Sequence, residues 1–321
     1  MLPPVALALS LAPALALDCG RAKAKFEKAI CADPVALTAD SEMARAFEAL
    51  RAAADPRQRA ESLKAQVRWV ATRDGVCRDS QDAALAACLT DESRRRTLYL
   101  RAAPAAGPGA PGRLAPFFRI EKGGKGRTDI QIEAYEFIAP ADDAQRAFNA
   151  AVDRLTRDIP QPDKDAPRDR WRYELGMTIA YASPRLLSAH AVTASDLGGA
   201  HPNVSSANVN IDVAAGREAR FDGLLDSDGA QKIFAACAAQ VEGQKKESEG
   251  ADVEIPADVL KSLREAVVRA TGDFRHWSFG ADKARVDYDA EVVGSRSEGA
   301  FDCTIPYATL RPLAKAGFPL P

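Results

Sequence analysis

Histidine is scarce in this chain: only His190, His201 and His276 occur in 321 residues. A metal site built on them needs Asp or Glu to converge with them, and no pair shows a ligand spacing such as His-Glu-x-x-His. Gly-x-Ser-x-Gly and a phosphate-cradling glycine loop are also absent, so neither an elbow nucleophile nor a nucleotide-binding turn is written here. The net charge is only −2, without the basic excess that a nucleic-acid partner requires. Beyond the first residues there is no run of about eighteen apolar residues, so no membrane span is expected in the mature chain. Hydrolysis by paired carboxylates stays open, because acids close across a cleft need not be close in sequence. Nothing positive points to it, and the expectation is a non-enzymatic protein with no catalytic residue, metal or cofactor.

The start of the chain is different. Val5 to Leu15 is apolar, and Ala14-Leu15-Ala16 places small residues where a signal peptidase needs them, so residues 1–16 read as a secretory signal. Lys or Arg before the apolar run is missing, and Asp18 before Cys19 argues against lipid anchoring. Six cysteines follow: Cys19, Cys31, Cys77, Cys88, Cys237 and Cys303. An even number beyond a signal fits an oxidising compartment, and order along the chain pairs them in that sequence. Buried thiols are the plainer alternative. The expected location is periplasmic or secreted.

Residues 17–101 read as helices. Asp33-Pro34 has the residue types of a cap and first helical position, and Ala36, Met43, Phe47 and Leu50 then share a face. Asp55-Pro56 repeats the signal, with Leu63, Val67 and Val70 at i, i+4 and i+7 and Trp69 beside them. A third helix begins near Asp82 and carries Leu85, Leu89 and Leu98. A three-helix unit this small buries little core, so its two local disulfides would act as staples. Asp18-Cys19, Glu27-Lys-Ala-Ile-Cys31-Ala-Asp33-Pro34, Gln66-Val-Arg68-Trp69-Val-Ala-Thr-Arg73-Asp74-Gly-Val-Cys77 and Cys88-Leu89 together resemble the N-terminal domain of the LprI family of lysozyme inhibitors. The segment from Cys77 to Cys88 is longer than that family's usual tight turn, and the last helix carries Arg94-Arg95-Arg96.

Ala102 to Gly112 has neither periodicity nor bulky apolar residues and reads as a semi-stiff Pro/Ala/Gly linker. Residues 113–321 then alternate strands and helices. Strands are expected at Phe117–Ile120 and Ile130–Ile138, and a helix from about Pro140 with Phe148, Val152 and Leu155 on one face. Tyr173 to Tyr181 and Val204 to Val213 alternate at period two around a loop, Asp196-Leu-Gly-Gly-Ala-His-Pro-Asn203. Gly198-Gly199 supplies backbone freedom there. A helix capped by Asp228 carries Ile233, Phe234, Cys237 and Val241; Glu242 to Glu254 reads as an exposed loop; another helix follows Pro256 and ends near Gly272. Phe274–Phe279, Ala284–Val293 and Phe301–Ile305 read as closing strands. The Gly-Gly-Ala-His-Pro-Asn203 loop, the strand ending Asn-Ile-Asp212, Phe221-Asp-Gly-Leu-Leu225 and the final Ile305-Pro306-Tyr307 resemble the C-terminal domain of unknown function of RsiV-type anti-sigma factors and PdaC-type envelope proteins. The Asp/His/His signature of the deacetylase domain that accompanies this fold elsewhere is absent.

The fold expected is therefore α+β: a small disulfide-stapled helical domain, a linker, and a domain with an antiparallel sheet and packed helices. Both resemblances imply lysozyme, or a lysozyme-like muramidase, as the partner. The implied function is inhibition by a loop that occupies the substrate cleft, with carboxylates meeting a basic enzyme. Acidic stretches at Glu247–Glu254 and Asp287–Glu291 would serve it. The rival is a non-catalytic module binding peptidoglycan or another glycan, with Trp69, Trp171 or Trp277 stacking on sugars. Candidate motif residues are Trp69, Arg73, Asp74, Gly198, Gly199, His201 and Asn203. Each has a plainer reading, which is preferred: Trp69 as a core anchor, Arg73-Asp74 as a solvated pair or cap, Arg94 to Arg96 as a solvated helix face, and His201 as a satisfied histidine holding its loop.

Overall fold

A computed structural model of the chain describes residues 17–123, 127–160, 171–198, 201–249 and 254–321. The expected signal segment 1–16 and Gly199 lie outside the described residues. The chain divides into two compact units between Arg101 and Ala102.

The first unit is helical: α1 Lys25–Ala32, α2 Pro34–Ala53, α3 Pro56–Val76 and α4 Asp82–Leu100. The caps act as their residue types require. The Asp33 carboxylate accepts from the N–H groups of Val35 and Ala36, and that of Asp55 from Gln58. Helix α1 is absent from the three-helix expectation because it is short and buries only Ile30. Disulfide Cys19–Cys31 ties it down, and Cys77–Cys88 closes the α3–α4 turn beside Ile30, Leu85 and Leu89.

Helix α3 differs from expectation in the face it buries. Leu63 and Val67 are 42% and 65% exposed, whereas Ser62, Ala65, Gln66 and Arg73 point inward. Small residues at 62 and 65 permit close approach; the Ser62 hydroxyl donates to the Arg59 carbonyl within α3, and Gln66 and Arg73 find partners on α2 and α4.

The second unit opens with residues that hydrogen-bond to its own sheet: the Ala105 and Gly109 N–H groups donate to the carbonyls of Ile179 and Ala182 at 2.8 and 3.1 Å. Gly107, at φ +92°, passes so close that a Cβ there would lie 2.2 Å from the Ala182 oxygen. The elements that follow are β1 Leu114–Glu121, β2 Asp129–Phe137, α5 Asp143–Arg157, β3 Arg172–Ala182, β4 Leu186–Asp196, β5 Asn203–Asp212, β6 Arg217–Glu218, α6 Phe221–Leu224, α7 Ser227–Glu249, α8 Ala257–Thr271, β7 Trp277–Phe279, β8 Lys283–Tyr288, β9 Phe301–Pro306 and α9 Tyr307–Leu310. Among the described residues, β1 to β6 form one sheet in sequence order, antiparallel except where α5 connects β2 to a parallel β3. Phe148, Ala151 and Val152 of α5 are buried. The alternating segments Tyr173–Tyr181 and Val204–Val213 are not direct partners; β4 lies between them. Leu186 to Ala189 are all buried, so β4 lacks the alternation that marks a half-exposed strand.

Strands β7, β8 and β9 form a second sheet, and Ile233, Cys237, Val241, Leu263, Val267, Trp277, Phe279, Val286 and Tyr288 belong to one core. Disulfide Cys237–Cys303 fastens α7 to β9. Helix α7 continues to Glu249, where the polar composition from Glu242 onward implies a loop. Its polar side chains explain the extension. The amides of Gln240 and Gln244 each bond both ways to the backbone of β9, at Thr304 and Asp302, while Glu242 pairs with Arg264 and Lys245 with Glu298. Asp226, rather than Asp228, accepts from the Gly229 N–H at the start of α7; Asp228 pairs with Lys232. Only Trp277–Phe279 of the expected strand Phe274–Phe279 is extended, after one 3-10 turn at Phe274–His276, and β8 stops at Tyr288. Polar side chains join the two sheets: Ser188 accepts from the Phe279 N–H at 3.0 Å, and Asn210 donates to the Trp277 carbonyl at 2.7 Å.

Candidate functional site

Gln66, Trp69 and Arg73 lie at i, i+3 and i+7 on α3 and so share a face. Trp69 is half-buried. The guanidinium of Arg73 lies over its ring at 5.3 Å, and that of Arg96, from α4, at 5.5 Å. Arg73 donates through Nε and Nη2 to Asp74 Oδ1 at 3.0 and 2.9 Å, and through Nη1 to Asp40 Oδ1 of α2 at 3.2 Å. Arg96 donates to Gln66 Oε1 at 3.0 Å, and the Gln66 amide reaches Met43 Sδ at 3.0 Å. Burial raises the Asp40 carboxyl above its ordinary value, against the lowering effect of Arg73. The three helices are thus cross-linked by a buried polar network centred on Trp69.

This arrangement corrects two expectations. Arg73 is not part of a solvated pair: it is 6% exposed and shared between two carboxylates. Of the run Arg94 to Arg96, the first two are exposed, but Arg96 is 4% exposed and stacks against Trp69 and Tyr99. The network also contains Asp40, Gln66 and Arg96, which the candidate motif residues read from the sequence do not include. A visible signal was available, since Gln66 and Arg73 share the face of Trp69.

The second candidate group falls on the β4–β5 connection. Gly198 has φ +88° and its N–H donates to Asp196 Oδ1 at 3.4 Å, which shows why glycine is needed there. His201 is exposed rather than packed, and Asn203 pairs in register with Ser195. Of the other histidines, His190 Nδ1 meets Asn208 Oδ1 on the neighbouring strand at 2.9 Å and lies 3.8 Å from the Asp287 carboxylate of the second sheet, and His276 Nδ1 meets the Asp287 carbonyl at 2.9 Å. No group of three or more His, Cys, Asp or Glu side chains suited to a metal ion occurs among the described residues.

Two features bear on the partner. The acidic stretch Asp287–Glu291 is not a free anionic surface: Asp287 is buried and pairs with Arg285 at 2.8 Å, and Asp289 accepts from the Ser206 N–H and hydroxyl. Trp277 is fully buried and offers no indole face for a sugar, and two guanidiniums lie over the half-buried Trp69. One exposed part of the helical unit is the turn closed by Cys77–Cys88, in which Arg78, Asp79, Gln81 and Asp82 face solvent.

Residues 19–100 match the family described as "Lysozyme inhibitor LprI". Two solved structures are similar to part of the chain. A DUF3298 family protein from Pseudomonas aeruginosa PAO1 has 16% identity and a TM-score of 0.44, covering 66% of this chain and 97% of that one. A DUF3298 family member from Bacteroides fragilis NCTC 9343 has 12% identity and a TM-score of 0.45, covering 64% of this chain and 94% of that one. No curated protein matches.

Proposed function

We propose that this protein is an extracytoplasmic, non-catalytic lysozyme inhibitor that binds the enzyme through its helical unit and obstructs the substrate cleft. The observation that carries the reading is the family match over residues 19–100, which spans all four helices and both disulfides of that unit. The three disulfides support an oxidising compartment. The obstructing element is the Cys77–Cys88 turn: one disulfide fixes its ends, a second fixes the neighbouring α1, and the network around Trp69 holds α3 behind it. Such pre-organisation reduces the ordering lost on binding.

The carboxylates in this mechanism are local. Residues 17–101 contain 16 Lys and Arg against 13 Asp and Glu, so the helical unit has no net negative field to steer a basic enzyme. Asp79 and Asp82 on the turn supply the contact charges, and binding depends on fit more than on attraction at a distance. Inhibition of a c-type lysozyme by the oxidised chain tests the reading. Asp79→Ala with Asp82→Ala weakens inhibition while the fold is kept; full-strength inhibition by that variant would remove the turn from the mechanism.

A further inference from the structure

The second unit has a basic cleft that the lysozyme reading does not use. It has a volume of about 510 Å³ and is lined by Arg119, Glu121, Lys122, Arg127, Thr128, Ile130, Arg157 and Ile159. Three separate stretches deliver four cations to it: the end of β1 and the residues just after it, the start of the β2 arm, and the last turn of α5. Among the described residues only one carboxylate, Glu121, lines it, and that group is taken by Arg119 at 2.5 Å. Arg157 has a loose pair with Asp153 at 3.7 Å, both side chains being largely exposed. Lys122 and Arg127 have no carboxylate at ion-pair distance among the described residues.

Like charges brought together repel one another, and an uncompensated set in a concave site concentrates positive potential where an anion would sit. Guanidinium forks match the paired oxygens of an oxyanion, and an ammonium adds a point charge beside them. Lys122 and Arg127, with no carboxylate partner among the described residues, and Arg157, only loosely paired, suit a phosphate group, with its charge of about −1.5 to −2 near neutrality, better than a single carboxylate. The apolar side chains of Ile130 and Ile159 in the lining suit the carbon part of a phosphate ester.

We infer that this cleft binds a phosphate group, with Arg127, Arg157 and Lys122 as its ligands. The inference is independent of the lysozyme reading, since it concerns the other unit.

The test is titration of the full oxidised chain with inorganic phosphate, glycerol phosphate and phosphatidylglycerol vesicles, with acetate as the single-carboxylate comparison. Saturable phosphate binding, stronger than acetate binding, is expected. Arg127→Ala and Arg157→Ala should each weaken it about tenfold, Arg127→Lys by less, and Arg269→Ala, an exposed cation on α8, not at all. Because all the altered residues are exposed, far-ultraviolet circular dichroism should be unchanged. Binding of the soluble phosphates alone identifies a free ester as the ligand, whereas preferential vesicle binding with the same sensitivity to Arg127 and Arg157 identifies a lipid headgroup. No saturable phosphate binding, equal affinity for acetate, or binding unchanged in the Arg127→Ala, Arg157→Ala double variant overturns the inference.

Discussion

Replacing Arg73 by Ala probes the network that the helical unit is built on. The substitution removes the ion pair to Asp40, whose partners are only 7% and 8% exposed, two hydrogen bonds to Asp74, and one guanidinium over Trp69. Asp40 remains buried with no cation beside it. Removing one member of a buried pair destabilises by about 3–5 kcal/mol, a large share of a domain's typical stability of about 5–15 kcal/mol. The loss should depend on pH in a definite direction. Asp40 already has a raised carboxyl pKa in the folded protein, and loss of Arg73 raises it further. A group whose folded value lies above its unfolded value favours folding when protonated, and that contribution disappears as pH rises through the folded value. The Arg73→Ala penalty is therefore largest at neutral pH. Below pH of about 4 it falls to the lost cation–π contact and hydrogen bonds, about 1–2 kcal/mol. Denaturant unfolding with hydrogen exchange followed on α3, at pH 7 and below pH of about 4, measures both. A change under about 0.5 kcal/mol at neutral pH, or one independent of pH, would refute the network's role.

Glu298→Gln breaks the pair with buried Lys245; because the Glu298 carboxyl is held down to about 2 from 4.5, its contribution is full above that unfolded value and fades as pH falls toward 2. The variant should lose about 1–2 kcal/mol at pH 7 and almost nothing near pH 2, read from urea midpoints. Replacing Cys237 and Cys303 together by Ala opens a loop closed across 66 residues, and the chain-entropy model gives a loss of about 4 kcal/mol, visible as a lower denaturation midpoint. Gly107→Ala combines a φ of +92° with a Cβ 2.2 Å from the Ala182 oxygen and should destabilise the second unit by about 2 kcal/mol or more; an unchanged melting temperature would contradict this packing.

Much of the fold is legible where residue type and period agree. Asp33-Pro34 and Asp55-Pro56 start helices as capping chemistry requires, and the cysteines bond in chain order. Legibility fails where partners from elsewhere decide. The expected apolar face of α3 gives way to Gln66 and Arg73 because Asp40 and Arg96, distant in sequence, satisfy them. Strand β4 is hidden because its first half is buried on both faces. Helix α7 runs through a polar stretch because the edge of β9 needs amide partners that only a helix there can present. In the candidate site, the sequence points to Trp69, Arg73 and Asp74 together, but not to the burial that makes them a scaffold more than a contact surface.

The most direct test is calorimetric titration of the oxidised chain, residues 17–321, with a c-type lysozyme at moderate ionic strength, alongside a lysozyme activity assay. The account predicts saturable binding with matching inhibition, both weakened when Asp79 and Asp82 are replaced by Ala. A folded, disulfide-intact sample that neither binds nor inhibits would contradict it.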